Sequence, residues 1–219
     1  MRRGNGMRQR KVKHEEERLE ALREYTVKDG TEWRGRWSEV LGAQGRPIYL
    51  EMGCGRGHFL AALGELHPDA CYIGAEGRSS IVLRALELTK EKGLENVRFI
   101  PEFIRDIETY FAPGELSGIY LNFSDPWPKA RHYKRRLTYR GFLEGYRRVL
   151  KPGSLIEIKT DNDALFAFTK EEVDAVGFEI LEESTDLHKT ELSARLITTQ
   201  YERRFQLLNK NINYLKLRV

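Results

Sequence analysis

The sequence lacks the features that mark several large classes of protein. Its 219 residues include two cysteines, Cys54 and Cys71, without the spacing of a disulfide framework or a zinc site. No apolar run approaches the roughly 20 residues that span a membrane, and the N-terminus lacks the apolar centre of a secretory signal. His132 and His188 have no further ligand at metal-site spacing. We therefore predict a cytoplasmic protein without a metal ion or a membrane anchor.

Charge is modest in total and uneven in distribution. The 37 basic residues exceed the 33 acidic ones by four, and the sequence pI is about 9.0. Residues 1–13 carry six bases and no acid, and a second concentration covers residues 129–148. Clustered bases of this kind favour a polyanionic partner. We predict a basic N-terminal arm and helix over residues 1–30 and one main domain over residues 31–219.

Short apolar runs alternate with helical patterns from residue 47 onward. The predicted strand and helix pairs are Ile48–Met52 with Phe59–Leu66, Cys71–Ala75 with Ile81–Lys92, Val97–Ile100 with Ile104–Phe111, Ile119–Phe123 with Tyr139–Leu150, and Ser154–Lys159 with Ala164–Val176. Five such units predict an α/β fold with a mostly parallel sheet and helices on both faces. Two further strands, Glu179–Ser184 and Thr199–Leu207, would extend it to seven strands.

A glycine-rich segment follows the first predicted strand. Its glycines, Gly53, Gly55 and Gly57, permit a tight turn and close approach of a ligand. Their spacing is not the G-x-G-x-x-G of pyrophosphate binders, and the acid Glu51 precedes them. An acid there disfavours a phosphate and suits the cationic S-adenosylmethionine. Glu76 ends the second strand, 25 positions after Glu51, where such folds place a carboxylate on ribose hydroxyls.

The segment Asn122–Lys129 carries the strongest single signal. Pro126 and Pro128 exclude a helix and predict a stiff loop that holds Asp125 at the end of a strand. Five cations begin where this loop ends, namely Lys129, Arg131, Lys134, Arg135 and Arg136. We interpret the loop as a reaction centre, and we expect the last four cations to contact a nucleic-acid backbone.

Strand ends of a parallel sheet meet at one edge, so Glu51, Glu76 and Asp125 should share a crevice. Methyl transfer to a nucleic acid is the simplest interpretation that explains both the predicted cofactor crevice and the basic residues beside it. Guanine N7 has a free lone pair and loses no proton on methylation, so such a reaction needs alignment and charge stabilisation. Methylation of an amino group stays open. Asp161 could either read a guanine edge or cap a helix, and Glu202 could face outward from a strand.

At these residues the sequence resembles the tRNA (guanine-N7)-methyltransferases. The similarity runs over residues 48–205, and its most specific stretch is Tyr120–Tyr139. Shorter supporting motifs are Lys159–Asn162, Asp186–His188 and Thr199–Glu202. The resemblance implies a Rossmann-like class I methyltransferase fold, S-adenosylmethionine as cofactor and tRNA as substrate, with the guanosine at variable-loop position 46 as target.

The resemblance also implies roles for individual residues. Glu51, Glu76 and Asp125 would bind the cofactor, and Asp125 would lie close to the transferred methyl group as the catalytic residue. The target nucleotide would be met by Lys129, Asp161, Thr199, Gln200, Tyr201 and Glu202. Phe103 stands where the family usually has Asp or Asn facing the adenine, so it would stack on the adenine or present its backbone amide.

Three other readings stay open from the sequence. The chain could be a non-catalytic RNA-binding module on a methyltransferase fold, or a methyltransferase of another nucleic-acid base. A nicotinamide-dependent oxidoreductase is disfavoured by the glycine spacing and by Glu51. A monomer and a homodimer are equally compatible with the sequence.

Overall fold

A computed structural model describes residues 13–199, 202, 208 and 210–219, apart from the side chains of residues 194 and 195. Its α-helices are α1 (Glu15–Glu20), α2 (Trp37–Val40), α3 (His58–Leu66), α4 (Ser79–Glu91), α5 (Arg140–Val149), α6 (Asp163–Val176) and α7 (Leu192–Arg195). Its strands are β1 (Ile48–Met52), β2 (Cys71–Ala75), β3 (Val97–Ile100), β4 (Leu116–Asn122), β5 (Leu150–Thr160), β6 (Glu179–Ser184) and β7 (Asn213–Arg218). None of the helices in these ranges has the length and apolar character needed to cross a bilayer.

The seven strands form one sheet in the order β3-β2-β1-β4-β5-β7-β6. All neighbours pair in parallel except β7, which runs antiparallel to β5 and β6. The predicted mostly parallel, seven-stranded Rossmann-like sheet is therefore confirmed. The strand order reverses between β1 and β4, and in such sheets the carboxyl ends of the strands at the reversal border a crevice.

Helices cover both faces because the parallel strands are buried on both sides. The adjacent residues Tyr72 and Ile73 of β2 point into different apolar clusters. Ile73 joins the cluster that contains Tyr146 of α5, whereas Tyr72 joins Leu60 of α3 and Leu86 of α4. This two-residue alternation fixes which side chains of a strand can reach the crevice.

The predicted helix Ile104–Phe111 is wrong. Only a 3-10 turn, Ile107–Thr109, forms there, and the Asp106 side chain caps it by accepting a hydrogen bond from the Glu108 amide at 3.1 Å. The buried residues Ile104, Ile107 and Tyr110 recur every three positions. That spacing matches the three residues per turn of a 3-10 segment as well as one face of an α-helix.

The predicted strand Thr199–Leu207 is also corrected. Most of that range lies outside the described residues, but Thr199 is not in a strand and Glu202 is helical. The seventh strand of the sheet is Asn213–Arg218, which pairs with both β5 and β6. The predicted β6 strand, Glu179–Ser184, is confirmed.

The described part of the predicted N-terminal arm packs on the domain. Leu22 is buried in the cluster under α3 and α4. The Val27 amide donates to the Phe99 carbonyl at 2.8 Å, which extends the sheet edge beyond β3. Glu15 accepts a hydrogen bond from the Ser79 hydroxyl at the start of α4. Residues 13–30 are thus tied to the main domain next to the carboxyl end of β2.

Candidate active site

The glycine loop after β1 is shaped for close approach by a ligand. Gly53, Gly55 and Gly57 have φ values of 77°, 56° and 74°, which disfavour any residue with a side chain. A Cβ on Gly57 would lie 2.8 Å from the Cβ of Ala85. A Cβ on Gly53 or Gly55 would meet no described atom within 4 Å. The third glycine is therefore required for packing on α4, while the first two border open space.

Glu51, the next-to-last residue of β1, is a buried carboxylate, and one of its two oxygens accepts a hydrogen bond. It is 3% exposed, and its Oε1 accepts from Asn122 Nδ2 at 2.9 Å. Its Oε2 has no hydrogen-bond partner among the described residues. Burial raises the pKa of Glu51 to about 7, against the Asn122 hydrogen bond and the Lys159 cation, which lower it. Such an oxygen would be satisfied by an ammonium group.

Glu76 follows β2 and lies beside the glycine loop. Its Oε1 accepts from the Arg78 amide at 3.0 Å. Burial raises the pKa of Glu76, the backbone amides of Arg78 and Gly55 lower it, and the nearby Asp125 raises it further. The structure therefore brings Glu51, the glycine loop, Glu76 and Asp125 to one edge of the sheet, at the ends of β1, β2 and β4.

Cys54 lies inside the glycine loop, in surroundings that disfavour its reactive thiolate form. Its side chain is buried, and a Cβ on Gly74 would lie 2.7 Å from its sulfur. Burial raises the pKa of the Cys54 thiol well above its usual range, and the carboxylates of Glu51 and Glu76 raise it further. A thiolate is therefore disfavoured here, which argues against attack through a covalent cysteine adduct.

Phe103 lies at the rim of the crevice beside Glu76. Its side chain is 59% exposed, and its ring packs on Gly77, where a Cβ would come within 2.1 Å of the ring. A side chain at position 77 would therefore displace the ring of Phe103 from this position. A large exposed aromatic face next to the predicted ribose-binding carboxylate is suited to stacking on a base.

The loop after β4 has two residues in the left-handed region. Phe123 has φ 52° and Trp127 has φ 43°, a conformation that costs non-glycine residues free energy. The Phe123 amide donates to the Lys159 carbonyl of β5 at 2.8 Å, which ties the start of the loop to the sheet. Asp125, between these points, is exposed.

The predicted RNA-contacting cations divide into two groups. Lys129, Arg131, Lys134 and Arg135 are exposed on or beside the 3-10 turn Ala130–Arg135. The Arg135 guanidinium lies 5.0 Å from the centre of the Trp127 ring. Arg136 differs, since it is half-buried and donates to carbonyls of the Asp125 loop.

The predicted target-binding motif at Thr199–Glu202 forms a helix start. The Glu202 amide donates to Thr199 Oγ1 at 3.1 Å, and the Glu202 carboxylate accepts from the Thr199 amide. This reciprocal arrangement is a capping box. Glu202 is 2% exposed, and its Oε1 and Oε2 accept hydrogen bonds from Lys159 Nζ at 3.0 and 3.2 Å. Gln200 and Tyr201 lie outside the described residues.

Asp161 follows β5 and is not the helix cap. Asn162 caps α6 by accepting from the Leu165 amide at 2.8 Å. Asp161 is partly exposed and pairs with Lys210 at 2.9 Å between Oδ2 and Nζ. Of the two roles that the sequence left open, helix capping is therefore filled by its neighbour.

Sequence reasoning missed two residues that hold the site together. Asn122 orients Glu51, and Lys159 contacts Glu202 while lowering the pKa of Glu51. Both stand at strand ends beside predicted site residues, and that position was the available signal. No group of three metal-ligating side chains occurs in the part of the chain that the structure describes.

The residues present fit S-adenosylmethionine. The unpartnered oxygen of Glu51 suits a cationic group, Gly53 and Gly55 leave room for the ligand, and Glu76 can accept from ribose hydroxyls.

Comparison with known proteins agrees with this geometry. A family model described as "Putative methyltransferase" matches residues 45–215. The chain is 42% identical over 194 residues to a tRNA (guanine-N(7)-)-methyltransferase of Brevibacillus brevis, covering 88% of this chain and 90% of that relative. It is 39% identical over 206 residues to the protein of the same name from Geobacillus thermodenitrificans, covering 94% of each. A solved SAM dependent methyltransferase from Aquifex aeolicus matches with a TM-score of 0.55 at 13% identity, covering 95% of this chain and 100% of that one, which confirms the predicted fold.

Proposed function

Since this chain belongs to the tRNA (guanine-N7)-methyltransferase family, we propose that it transfers a methyl group from S-adenosylmethionine to N7 of a guanosine in tRNA. The observation that carries this proposal is the convergence of Glu51, Glu76 and Asp125 beside an open glycine loop. We further propose that the target is the variable-loop guanosine at position 46 and that the protein acts in the cytoplasm.

The chain's own residues would divide the work as follows. Glu51 accepts hydrogen bonds from the cationic amino-acid part of the cofactor, Glu76 accepts from the ribose, and Phe103 stacks on the adenine. S-Adenosylmethionine, when bound there, would supply an electrophilic methyl group for N7, and the electron pair of the methyl–sulfur bond would stay with the departing sulfur. Asp125 is the catalytic residue, because its carboxylate would stabilise the positive charge that accumulates on the base.

The acceptor side would be formed by exposed side chains around the same crevice. Lys129, Asp161 and the segment Thr199–Glu202 meet the target guanosine, and reciprocal hydrogen bonds fix Thr199 and Glu202 relative to each other. Arg131, Lys134 and Arg135 contact phosphates, and Trp127 offers an aromatic face to unstacked bases. A homodimer and a monomer fit the proposal equally well.

The test is a methylation assay with the purified chain. Unmodified tRNA and S-adenosylmethionine with a labelled methyl group should give a product that aniline cleaves at the methylated guanosine. Asp125→Asn keeps the shape of the side chain and removes its charge, so we expect kcat to fall on the order of 10²-fold. Its unfolding temperature should stay near that of the wild type, because Asp125 is exposed. An Asp125→Asn enzyme of full activity would remove Asp125 from the reaction centre.

A further inference from the structure

Arg136 points its guanidinium at the Asp125 loop. Its Nε donates to the Pro126 carbonyl at 3.0 Å, and its Nη2 donates to the Trp127 carbonyl at 3.3 Å. The flat face of the same guanidinium lies over the Phe168 ring of α6, 4.3 Å from the ring centre. The side chain therefore joins the loop to a core helix.

Two residues of this loop cannot donate backbone hydrogen bonds that would secure it. Pro126 and Pro128 have no N–H group, so two of its residues donate no backbone hydrogen bond. Trp127 between them is held at φ 43°, which other structure must stabilise. Buried or partly buried carbonyls need donors, and Arg136 supplies two of them from a rigid, planar group.

We propose that Arg136 is a positioning residue for methyl transfer, holding the loop so that Asp125 stays at the reaction centre. This assignment rests on the proposed function. It separates Arg136 from its neighbours Lys134 and Arg135, whose side chains are exposed. Arg136 acts through Asp125, and a small displacement of a catalytic group lowers the rate of the chemical step much more than it lowers substrate affinity.

The chain offers a matched control in Arg147 of α5. Its guanidinium lies over the Phe178 ring at 4.7 Å and donates to the Val176 carbonyl. Arg147 thus makes the same two kinds of contact as Arg136, near the C-terminus of α6 instead of at the loop. Substituting either arginine by lysine keeps the positive charge and removes one stacked guanidinium, but only the substitution at Arg136 releases the Asp125 loop.

The experiment compares Arg136→Ala, Arg136→Lys, Arg147→Lys and wild type with the same tRNA and cofactor. We expect kcat to fall on the order of 10²-fold in Arg136→Ala. We expect a smaller fall in Arg136→Lys, since an ammonium cannot satisfy both carbonyls. The KM for tRNA and the salt dependence of tRNA binding should stay near wild type in both, and Arg147→Lys should keep the wild-type kcat. Circular dichroism checks that each variant is folded. If Arg136→Ala does not fold, the comparison of kcat between Arg136→Lys and Arg147→Lys tests the positioning role.

Three results would overturn this assignment alone, and a fourth would overturn the proposed function with it. If Arg136→Ala keeps kcat at saturating tRNA but binds tRNA more weakly, with a salt slope reduced by about one unit, Arg136 is a phosphate contact. If Arg147→Lys loses as much kcat as Arg136→Lys, the effect is general destabilisation. A wild-type enzyme that turns over while the Arg136 variants match it refutes only this inference. A wild-type protein without activity on tRNA refutes the proposed function and the positioning role with it.

Discussion

At the scale of single residues, the crevice carboxylates differ because their surroundings differ. Glu51 is buried, and its pKa is raised to about 7. Burial also raises the pKa of Glu76, although the Arg78 amide hydrogen bond opposes the shift. Asp125 is exposed on a loop. Glu51, the carboxyl whose pKa burial raises to about 7, is the residue that faces the proposed cationic end of the cofactor.

This state of Glu51 predicts how cofactor binding depends on pH. Only the ionised carboxylate attracts a cation, so the affinity of the wild type for S-adenosylmethionine should fall as the pH drops from 8 through about 7. Glu51→Gln should bind the cofactor more weakly and show little of this dependence. Calorimetric titration over that range measures both. Glu157→Gln is the control, since Glu157 accepts from Tyr214 on β7, and it should retain the wild-type profile.

The raised pKa of Glu51 also affects folding stability, which should fall with rising pH while cofactor affinity rises. A carboxyl whose pKa is higher in the folded than in the unfolded state binds protons more tightly when folded, so stability falls as pH rises from about 4.5 to about 7. The full effect is on the order of 3 kcal/mol. Without cofactor, Glu51→Gln should therefore gain unfolding temperature relative to the wild type at pH 8 and lose that advantage at pH 5. Equal differences at both pH values would contradict the buried, raised state of Glu51.

At the scale of secondary-structure elements, Lys159 joins the end of β5 to the segment that follows α7. Its Nζ donates to the Ile197 carbonyl at 2.8 Å and to both oxygens of Glu202. Both partners of this ion pair are nearly fully buried, with side chains 3% and 2% exposed. The pair therefore fixes a proposed acceptor-side segment against the strand that also supports the Asp125 loop through the Lys159 carbonyl.

Replacing Lys159 by Met tests two effects of this side chain, namely its contribution to folding stability through Glu202 and its effect on the pKa of Glu51. The variant leaves Glu202 buried without its cation, which should destabilise the protein by roughly 3–5 kcal/mol. The double variant Lys159→Met/Glu202→Leu should recover much of that loss, because a buried pair replaced by apolar side chains costs little. In both variants the pH at which cofactor affinity falls should move upward, since Lys159 lowers the pKa of Glu51. Urea unfolding and calorimetry measure the two effects.

The exposed pair Arg218–Glu179 provides the comparison for stability. Its side chains are 51% and 58% exposed, so Glu179→Gln should change stability by less than about 1 kcal/mol. Lys159 would not link the Glu202 segment to Glu51 if Lys159→Met changed the free energy of unfolding as little as Glu179→Gln does. The same would follow if cofactor affinity in Lys159→Met fell at the same pH as in the wild type.

Local patterns predicted some elements well and failed where tertiary contacts decide. Strands β1, β2 and β3 were predicted with their observed bounds, because short apolar runs bounded by glycine or polar residues suit buried strands. The segment from Thr199 was read as a strand because threonine and tyrosine favour strands, although T-x-x-E is also the signature of a capping box. The Asn122–Glu51 and Lys159–Glu202 contacts join residues 71 and 43 positions apart. No local pattern could therefore predict them.

At the scale of the whole molecule, the location of the positive charge is more distinctive than its total. The net charge is only +4, and many bases pair with acids on the surface, as in Lys92–Glu65, Lys170–Glu183 and Arg218–Glu179. Arg131, Lys134 and Arg135 stand together beside the Asp125 loop, on a turn without an acidic residue. RNA binding should therefore depend on this turn much more than on total charge.

The triple variant Arg131→Gln, Lys134→Gln and Arg135→Gln tests that expectation. Each phosphate contact contributes about 0.7–0.9 units to the slope of log affinity against log salt concentration, so three contacts should reduce the slope by roughly two to three units. The control replaces Lys92, Lys170 and Arg218 by Gln, which changes net charge equally at sites outside the turn. Its slope should match the wild type, and filter binding of unmodified tRNA over a salt series measures all three proteins. Cofactor affinity should be the same in all, because none of these side chains contacts Glu51 or Glu76. If both triple variants lost the same slope, total charge would govern tRNA binding, and the turn would be an ordinary solvated surface.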